Sequence, residues 1–95
     1  MKNTLENGKL TIYLEGELNS ANAETVEKEI DALLGNNNFT ALILDMEKLR
    51  YMSSAGIRIV IRIKQQHDNL QITNVPKDVH DIFKMVGLLG LLNID

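Results

Sequence analysis

The sequence contains no cysteine and no tryptophan, and it has a single proline, two tyrosines and two phenylalanines among its 95 residues. Without cysteine there is no disulfide, no thiolate zinc site and no cysteine nucleophile. Hydrophobic residues make up 44% of the sequence and charged residues 24%. That balance, with so little proline, is typical of a folded globular domain and not of a disordered tail.

An excess of positive charge and a long apolar run are also missing. Ten Lys and Arg against thirteen Asp and Glu give a net charge of −3, which offers no electrostatic reason to bind nucleic acid. No apolar stretch approaches the roughly twenty residues of a membrane span, and residues 1–8 lack the apolar core of a signal peptide. We expect one domain, residues 1–95, in a cytoplasmic protein that binds neither nucleic acid nor membrane.

The first half of the sequence alternates between strand and helix patterns. Leu10, Ile12 and Leu14 are separated by polar or amphipathic residues, as in a strand with one buried face. Apolar residues then recur every three or four positions and predict a helix over about residues 20–34, with the pair Asn19 and Ser20 able to cap its start. Gly35 is placed to end this helix in a left-handed conformation. Residues 39–45 read as a short buried strand.

Residues 57–64 fit two structures. Their β-branched, nearly alternating side chains favour a strand. However, Ile57, Val60, Ile61 and Lys64 also fit a helical period, and a serine at position 53 or 54 could cap such a helix. The pattern alone leaves both alternatives open.

The last third of the sequence predicts one more strand and one more helix. Residues 70–73 form a short strand pattern, and Pro76 can open a helix that Gly87 would stop. The apolar residues of this helix would be Val79, Ile82, Phe83 and Val86. The tail, residues 88–95, is too apolar to be solvated along its length, so we expect it to pack on the core or to form a docking surface. Alternating strands and helices predict an α/β fold.

The usual catalytic and metal-binding motifs are weak or missing. His67 and His80 stand twelve residues apart without ligands at a recognised spacing, and surface or capping roles explain them better. Glu15 and Glu17 share one side of an extended chain, but charged residues at strand ends usually face water. No phosphate-binding glycine motif can be written anywhere in the sequence. We therefore expect no metal, no cofactor and no catalytic residues.

Residues 45–58 place two hydroxyl groups, Ser53 and Ser54, at a predicted turn. A hydrolase elbow needs glycine two residues before and after the nucleophile, and Ser54 has Gly56 after it but Met52 before it. A serine nucleophile also needs a base and an orienting carboxylate. A simple helix N-cap, with a contribution of about 1 kcal/mol, explains the two serines without any catalysis.

Four blocks of sequence, residues 16–19, 42–46, 51–58 and 74–88, follow one another over nearly the whole chain. The third block contains the run from Ser53 through Ser54, Ala55 and Gly56 to the aliphatic Ile57. In this order the blocks resemble the STAS domain of bacterial anti-sigma factor antagonists, and the run that begins at Ser53 is the most diagnostic part. The resemblance implies a four- to five-stranded mixed sheet with helices mainly on one side, and it assigns residues 57–64 to a helix.

The resemblance also implies a function. The hydroxyl of Ser54 would accept a phosphate from an anti-sigma factor that is itself an ATP-dependent serine kinase. The unphosphorylated protein would bind the anti-sigma factor and release a sigma factor, and a separate serine phosphatase would restore that form. The same fold also serves as a regulatory subunit of transporters or signalling assemblies without a phosphoswitch, which is the alternative.

Two positions depart from the pattern of better-known members. Many carry Asp directly before the acceptor serine, where this sequence has Ser53, which makes Ser53 a second candidate acceptor. Arg58 stands where several relatives have a small residue, one helical turn beyond Ser54. Arg58 could pair with a phosphate or with an acidic group of a partner, or it could be simply solvated. The expected partner-binding residues are Asn19, Met52, Ser53, Ser54, Ala55, Gly56 and Arg58.

Overall fold

The structure, a computed structural model, describes residues 1–92 and residue 94. It contains four strands and three helices in mixed order, which confirms the α/β class. The elements are β1 (Asn3–Glu6), β2 (Lys9–Leu18), α1 (Ala23–Asn36), β3 (Ala41–Met52), α2 (Ser54–Gln66), β4 (Gln71–Thr73) and α3 (Lys77–Met85).

The strands form one sheet in the order β1-β2-β3-β4. β1 and β2 are antiparallel, whereas β2, β3 and β4 are parallel, so the sheet is mixed as the resemblance implies. Alternate side chains of β2 and β3 are buried on one face, and the helices pack against that face. These buried strand residues are Leu10, Ile12, Leu14, Leu42, Leu44 and Met46. Because β2 and β3 are parallel, their carboxyl ends lie together at one edge of the core.

Residues 57–64, for which the pattern left strand and helix open, are helical and lie within α2, as the resemblance implies. α2 buries Ile59, Val60 and Ile63 and leaves Arg58 exposed, which is the pattern of a helix lying on a core. The β-branched residues are tolerated because burial against the sheet outweighs their weak preference for strands.

β1 is an element that the sequence patterns did not indicate. It forms a hairpin with β2 through Asn7 and Gly8, which both have positive φ values, 52° and 77°. Two positive φ values are required by the two-residue turn that joins antiparallel strands, and Asn-Gly is its preferred sequence. This dipeptide is the signal that could have predicted the hairpin.

Two details of the α1 prediction are wrong. The helix begins at Ala23 and not near residue 20, because Asn19 caps a separate turn that precedes it. Gly35 lies inside the helix, which continues to Asn36, and its φ is not positive. The Asn37 side chain donates to the carbonyl oxygen of Leu33 at 2.8 Å, so a side-chain amide satisfies the end of the helix in place of a glycine turn.

The expected end of α3 and the packing of the tail are confirmed. Gly87 has a φ of 76°, and its N–H donates to the carbonyl oxygen of Lys84, while Leu88 N–H donates to that of Phe83. This pair of hydrogen bonds is the Schellman motif, which favours glycine at its left-handed position. In the tail Leu92 is fully buried, and Leu88, Leu89 and Ile94 are partly buried against the core. Asn93 and Asp95 lie outside the described residues.

Candidate functional site

The candidate site forms where β3 ends and α2 begins. Ser53 lies between the two elements with extended backbone (φ −84°, ψ 175°), and Ser54 is the first residue of α2. The N–H of Ile57 donates to the carbonyl oxygen of Ser53 at 3.0 Å, which closes the first helical turn. The N–H groups of residues 54–56 precede this bond and therefore have no partner within the helix.

The two neighbouring serines differ in exposure. Ser54 is exposed. The Oγ of Ser53 is buried and has no hydrogen-bond partner in the described part of the chain, and it does not cap α2. Ser54 therefore lies on the surface of the protein, whereas the hydroxyl of Ser53, the second candidate acceptor, is shielded from solvent.

Gly56 permits the close approach of α2 to the sheet. A Cβ at this position would lie 2.8 Å from the Cγ atoms of both Leu18 and Met52, much closer than carbon atoms pack. Neither Cγ is at the free end of its side chain, so neither can move aside cheaply. The glycine of the Ser-Ser-Ala-Gly run thus has a packing role, and it sets the position of Ser54 on the surface.

The expectation that Met52 lies in the partner-contact surface is wrong. Its side chain is only 1% exposed, because it points into the core at the end of β3. Gly56 is also buried. Of the expected contact residues, Ser54 and Arg58 are exposed, and Asn19, Ser53 and Ala55 are half-buried. Met52 and Gly56 support this surface from below and do not form it.

The loop that carries Asn19 is held beside the serine turn. The N–H of Ser53 donates to the carbonyl oxygen of Leu18, the last residue of β2, at 2.8 Å. The Oδ1 of Asn19 accepts hydrogen bonds from the N–H groups of Ala21 and Asn22, and the Asn19 N–H donates to Oδ1 of Asn22. These bonds make the loop a compact turn, and the bond to Leu18 holds that turn next to the residue before Ser54.

An open groove of about 410 Å³ runs between α1 and α2 and starts next to Ser54. On its α2 side, Arg58 is exposed and forms no salt bridge within residues 1–92 and 94. The groove is lined by Ser20, Ala23, Glu24, Glu27, Ala55, Arg58, Ile59 and Arg62. Arg58 is therefore the cation of this groove that remains available to a phosphate or to a partner.

Arg62, the second cation of the groove, is already paired. Its Nε and Nη2 atoms lie 2.7 Å from a carboxylate oxygen of Glu27 and of Asp31, respectively, both on α1. The hydrogen bond with Asp31 is the main cause that raises the pKa of the guanidinium. This ion-pair network fixes α1 against α2, and Arg62 therefore shapes the groove. The sequence patterns did not single out Arg62. The signal that could have indicated it is a cation on the predicted second helix that could pair with carboxylates on the first.

The other polar candidates do not lie on the first turn of α2, although Glu17 directly precedes Leu18, whose carbonyl oxygen accepts the bond from Ser53. His67 follows the last residue of α2, roughly 20 Å along the helix from Ser54, and its ring packs on Phe39. His80 lies on α3, and Glu15 and Glu17 are exposed on β2. Within the described residues, no group of three potential metal ligands is found. Among the helices that the structure describes, none is long and apolar enough to cross a membrane.

The mixed sheet, with a helix that begins directly after the two-serine turn, is the arrangement that the resemblance implies. The sequence model of the STAS domain family matches residues 2–95. The chain belongs to the STAS domain family. It is 32% identical over 100 residues to BtrV of Bordetella bronchiseptica, a proposed anti-sigma factor antagonist by its name. This match covers 99% of the chain and 85% of BtrV.

Solved structures share the fold. An anti-sigma factor antagonist from Mycobacterium paratuberculosis superposes with a TM-score of 0.85 at 16% identity, over 98% of this chain and 81% of that one. The phosphorylated form of the Bacillus cell fate determinant SpoIIAA gives 0.60 at 24% identity, over 96% and 87%. A sulfate transporter family protein from Wolinella succinogenes gives 0.75 at 13% identity, over 94% and 75%. Anti-sigma factor antagonists are regulators and not enzymes.

Proposed function

We propose that this protein is an anti-sigma factor antagonist of the cytoplasm, controlled by phosphorylation of Ser54. The unphosphorylated form binds an anti-sigma factor that is an ATP-dependent serine kinase, and so releases a sigma factor. Phosphate on Ser54 ends this binding, and a serine phosphatase restores it. The name of BtrV supports the antagonist role. The observation that carries the choice of residue is that Ser54 is an exposed residue while the Oγ of Ser53 is buried.

The start of α2 can hold a phosphate without unfolding. The first turn of a helix presents N–H groups without intrahelical partners and about half a positive charge, and both favour an anion. Arg58 stands four residues after Ser54, so its side chain lies on the same face of the helix. Its guanidinium has no competing salt bridge within the described part of the chain and can approach the phosphate.

The same phosphate would weaken a complex formed on this surface. It adds about −1.5 to −2 charges and three strong acceptors where the unmodified protein presents a neutral hydroxyl. A partner surface shaped for the hydroxyl would have to bury this charge without matching donors. A loss of about 3 kcal/mol already makes binding more than a hundredfold weaker. The switch therefore acts on the interface and requires no change of fold.

The proposed contact surface consists of residues that are at least partly accessible. Ser54, Ala55 and Arg58 come from the first turns of α2, Ser53 directly precedes them with its Oγ buried, and Asn19 comes from the loop beside them. Met52 and Gly56 set the position of these residues from beneath. The kinase would recognise Ser54 without an Asp before it, because Ser53 occupies that position.

The test is a capture experiment from the native cell with four forms of the chain: wild type, Ser54→Ala, Ser54→Asp and Ser53→Ala. We expect wild type, Ser54→Ala and Ser53→Ala to retain an anti-sigma factor kinase and Ser54→Asp to lose it. After ATP is added, mass spectrometry should locate phosphate on Ser54 in wild type and in Ser53→Ala. Phosphate on Ser53 alone would overturn the assignment.

The second candidate function is that of a regulatory module of a transporter, without a phosphoswitch. A sulfate transporter family protein from Wolinella succinogenes has the same fold. The same capture experiment separates the two candidates. A transporter component retained equally by wild type and by Ser54→Asp, with no kinase, would support the second candidate and contradict the first.

A further inference from the structure

β1 is an edge strand, and no strand of the described residues pairs with its outer side. All four of its residues, Asn3–Glu6, are exposed, and β2 is its neighbour in the sheet. Leu5 stands opposite the buried Leu10 and so lies on the helix-covered face, yet it remains 44% exposed. An edge strand of this kind is a template for pairing with another strand.

The register of the hairpin determines which backbone groups of β1 point outward. Tyr13 N–H donates to the carbonyl oxygen of Lys2 at 3.0 Å, so Lys2 and Tyr13 form a hydrogen-bonded pair. In an antiparallel ladder such pairs alternate with pairs that are not hydrogen-bonded. Thr4 and Glu6 therefore also bond to β2, whereas the N–H and C=O groups of Asn3 and Leu5 point away from the sheet.

The two charged residues of this segment would match in an antiparallel pair of two copies. The order is Lys2, Asn3, Thr4, Leu5 and Glu6, with a cation at one end and an anion at the other. Two copies can pair antiparallel about a two-fold axis at Thr4. Each Lys2 then stands opposite Glu6 of the second copy, and Asn3 stands opposite Leu5. This places the outward groups of Asn3 and Leu5 against each other, so four backbone hydrogen bonds can form.

When the two-fold axis lies at a neighbouring residue, Lys2 no longer stands opposite Glu6 of the second copy. A two-fold axis at Asn3 sets Lys2 opposite Thr4, and one at Leu5 sets Glu6 opposite Thr4, so neither pairs the two charges. We propose that β1 is a self-association surface, through which two copies form a continuous eight-stranded sheet with Lys2 of each opposite Glu6 of the other. The partner is thus a second copy of this chain, in the closed two-fold symmetry that homodimers favour.

This association is independent of the proposed phosphoswitch. The residues that line the groove beside Ser54 come from α1, α2 and the loop before α1, and none belongs to β1. Both Ser54 hydroxyls therefore stay accessible in the dimer. Because the shared surface is one short strand from each copy, we expect a weak dimer that is populated only at high protein concentration.

Charge reversal tests the register. Lys2→Glu and Glu6→Lys each place like charges opposite one another twice in the dimer, so each variant alone should associate roughly tenfold more weakly in low salt. When the two variants are mixed, both charge pairs become opposite again and the dimer should return. The double variant Lys2→Glu/Glu6→Lys keeps the net charge of −3 and should dimerise like wild type. Sedimentation velocity over a concentration series measures each case.

Proline tests the hydrogen bonds. Because the N–H of Leu5 points outward, Leu5→Pro should keep the fold, as judged by circular dichroism, and should abolish association. A wild-type chain that remains monomeric up to about 1 mM overturns the proposal, since edge pairing of this size should then be visible. A dimer that survives Leu5→Pro, or a mixture of charge variants that stays monomeric when wild type dimerises, also overturns it.

Discussion

The N–H of Ser53 donates to the carbonyl oxygen of Leu18 at 2.8 Å, and this hydrogen bond joins the end of β2 to the start of α2. Leu18 and Met52 are also paired in the sheet, so two parallel strands end at the same place. The turn of Asn19 and the exposed Ser54 are therefore held on one surface by the backbone. A partner that recognises both needs no rearrangement of the chain.

Replacing Gly56 with alanine should destabilise the protein. The added Cβ would lie 2.8 Å from Leu18 and Met52, so the start of α2 must move or the core must repack. Overpacking of this kind costs about 1–3 kcal/mol in the free energy of unfolding. Urea denaturation measures it. Gly35→Ala is the matched control, because Gly35 is helical with open space around it, and this change should stabilise the protein by about 0.5–1 kcal/mol. If Gly56→Ala and Gly35→Ala changed the free energy of unfolding equally, the packing role of Gly56 would be contradicted.

Ser53→Ala should not destabilise the protein, although Ser53 occupies the N-cap position. An N-cap serine usually contributes about 1 kcal/mol through a side-chain hydrogen bond. Ser53 makes no such bond to α2, and its buried Oγ has no partner among residues 1–92 and 94. Removing that hydroxyl should leave the free energy of unfolding unchanged or raise it by up to about 1 kcal/mol. In contrast, Asn19→Ala should cost about 1 kcal/mol, because Asn19 accepts two backbone hydrogen bonds. If Ser53→Ala lowered the free energy of unfolding as much as Asn19→Ala does, this description of the turn would be wrong.

The ion pair between Lys77 and Asp81 on α3 should make a small, pH-dependent contribution. The hydrogen bond from Lys77 is the main cause that lowers the pKa of the Asp81 carboxyl. Since the folded pKa is lower than the unfolded one, the contribution is present above the unfolded pKa and is lost as the pH falls through the folded pKa. NMR titration of the carboxyl carbon should show that Lys77→Met raises the Asp81 pKa more than Lys84→Met does. No shift in Lys77→Met would contradict the contact.

The sequence patterns predicted most of the elements but could not choose between strand and helix for residues 57–64. The side chains of Ile57, Ile59, Ile61 and Ile63 fit a period of two, and Val60 completes a helical period, so only the packing partner decides. The burial of Ser53 Oγ likewise depends on the packing around the turn, which a sequence pattern does not show. By contrast, the Asn7-Gly8 turn is a local signal that was missed.

Arg58 should contact a phosphate carried by Ser54. Phosphorus NMR of the phosphorylated chain measures the second pKa of the phosphate, which is about 6 in an isolated phosphoserine. The start of α2 and Arg58 both favour the dianion, so this pKa should be lower than in a peptide, and Arg58→Ala should raise it. Lys84→Ala, on α3, is the control and should leave it unchanged. An identical value in Arg58→Ala and wild type would show that Arg58 is simply solvated.

The most direct test compares the affinity of the captured anti-sigma factor for the unmodified chain and for the chain phosphorylated at Ser54 alone. Calorimetry with both forms gives the two dissociation constants, and circular dichroism verifies that the fold is the same. We predict that the phosphate weakens binding by roughly a hundredfold or more. Equal affinities for two folded forms would contradict a switch at Ser54.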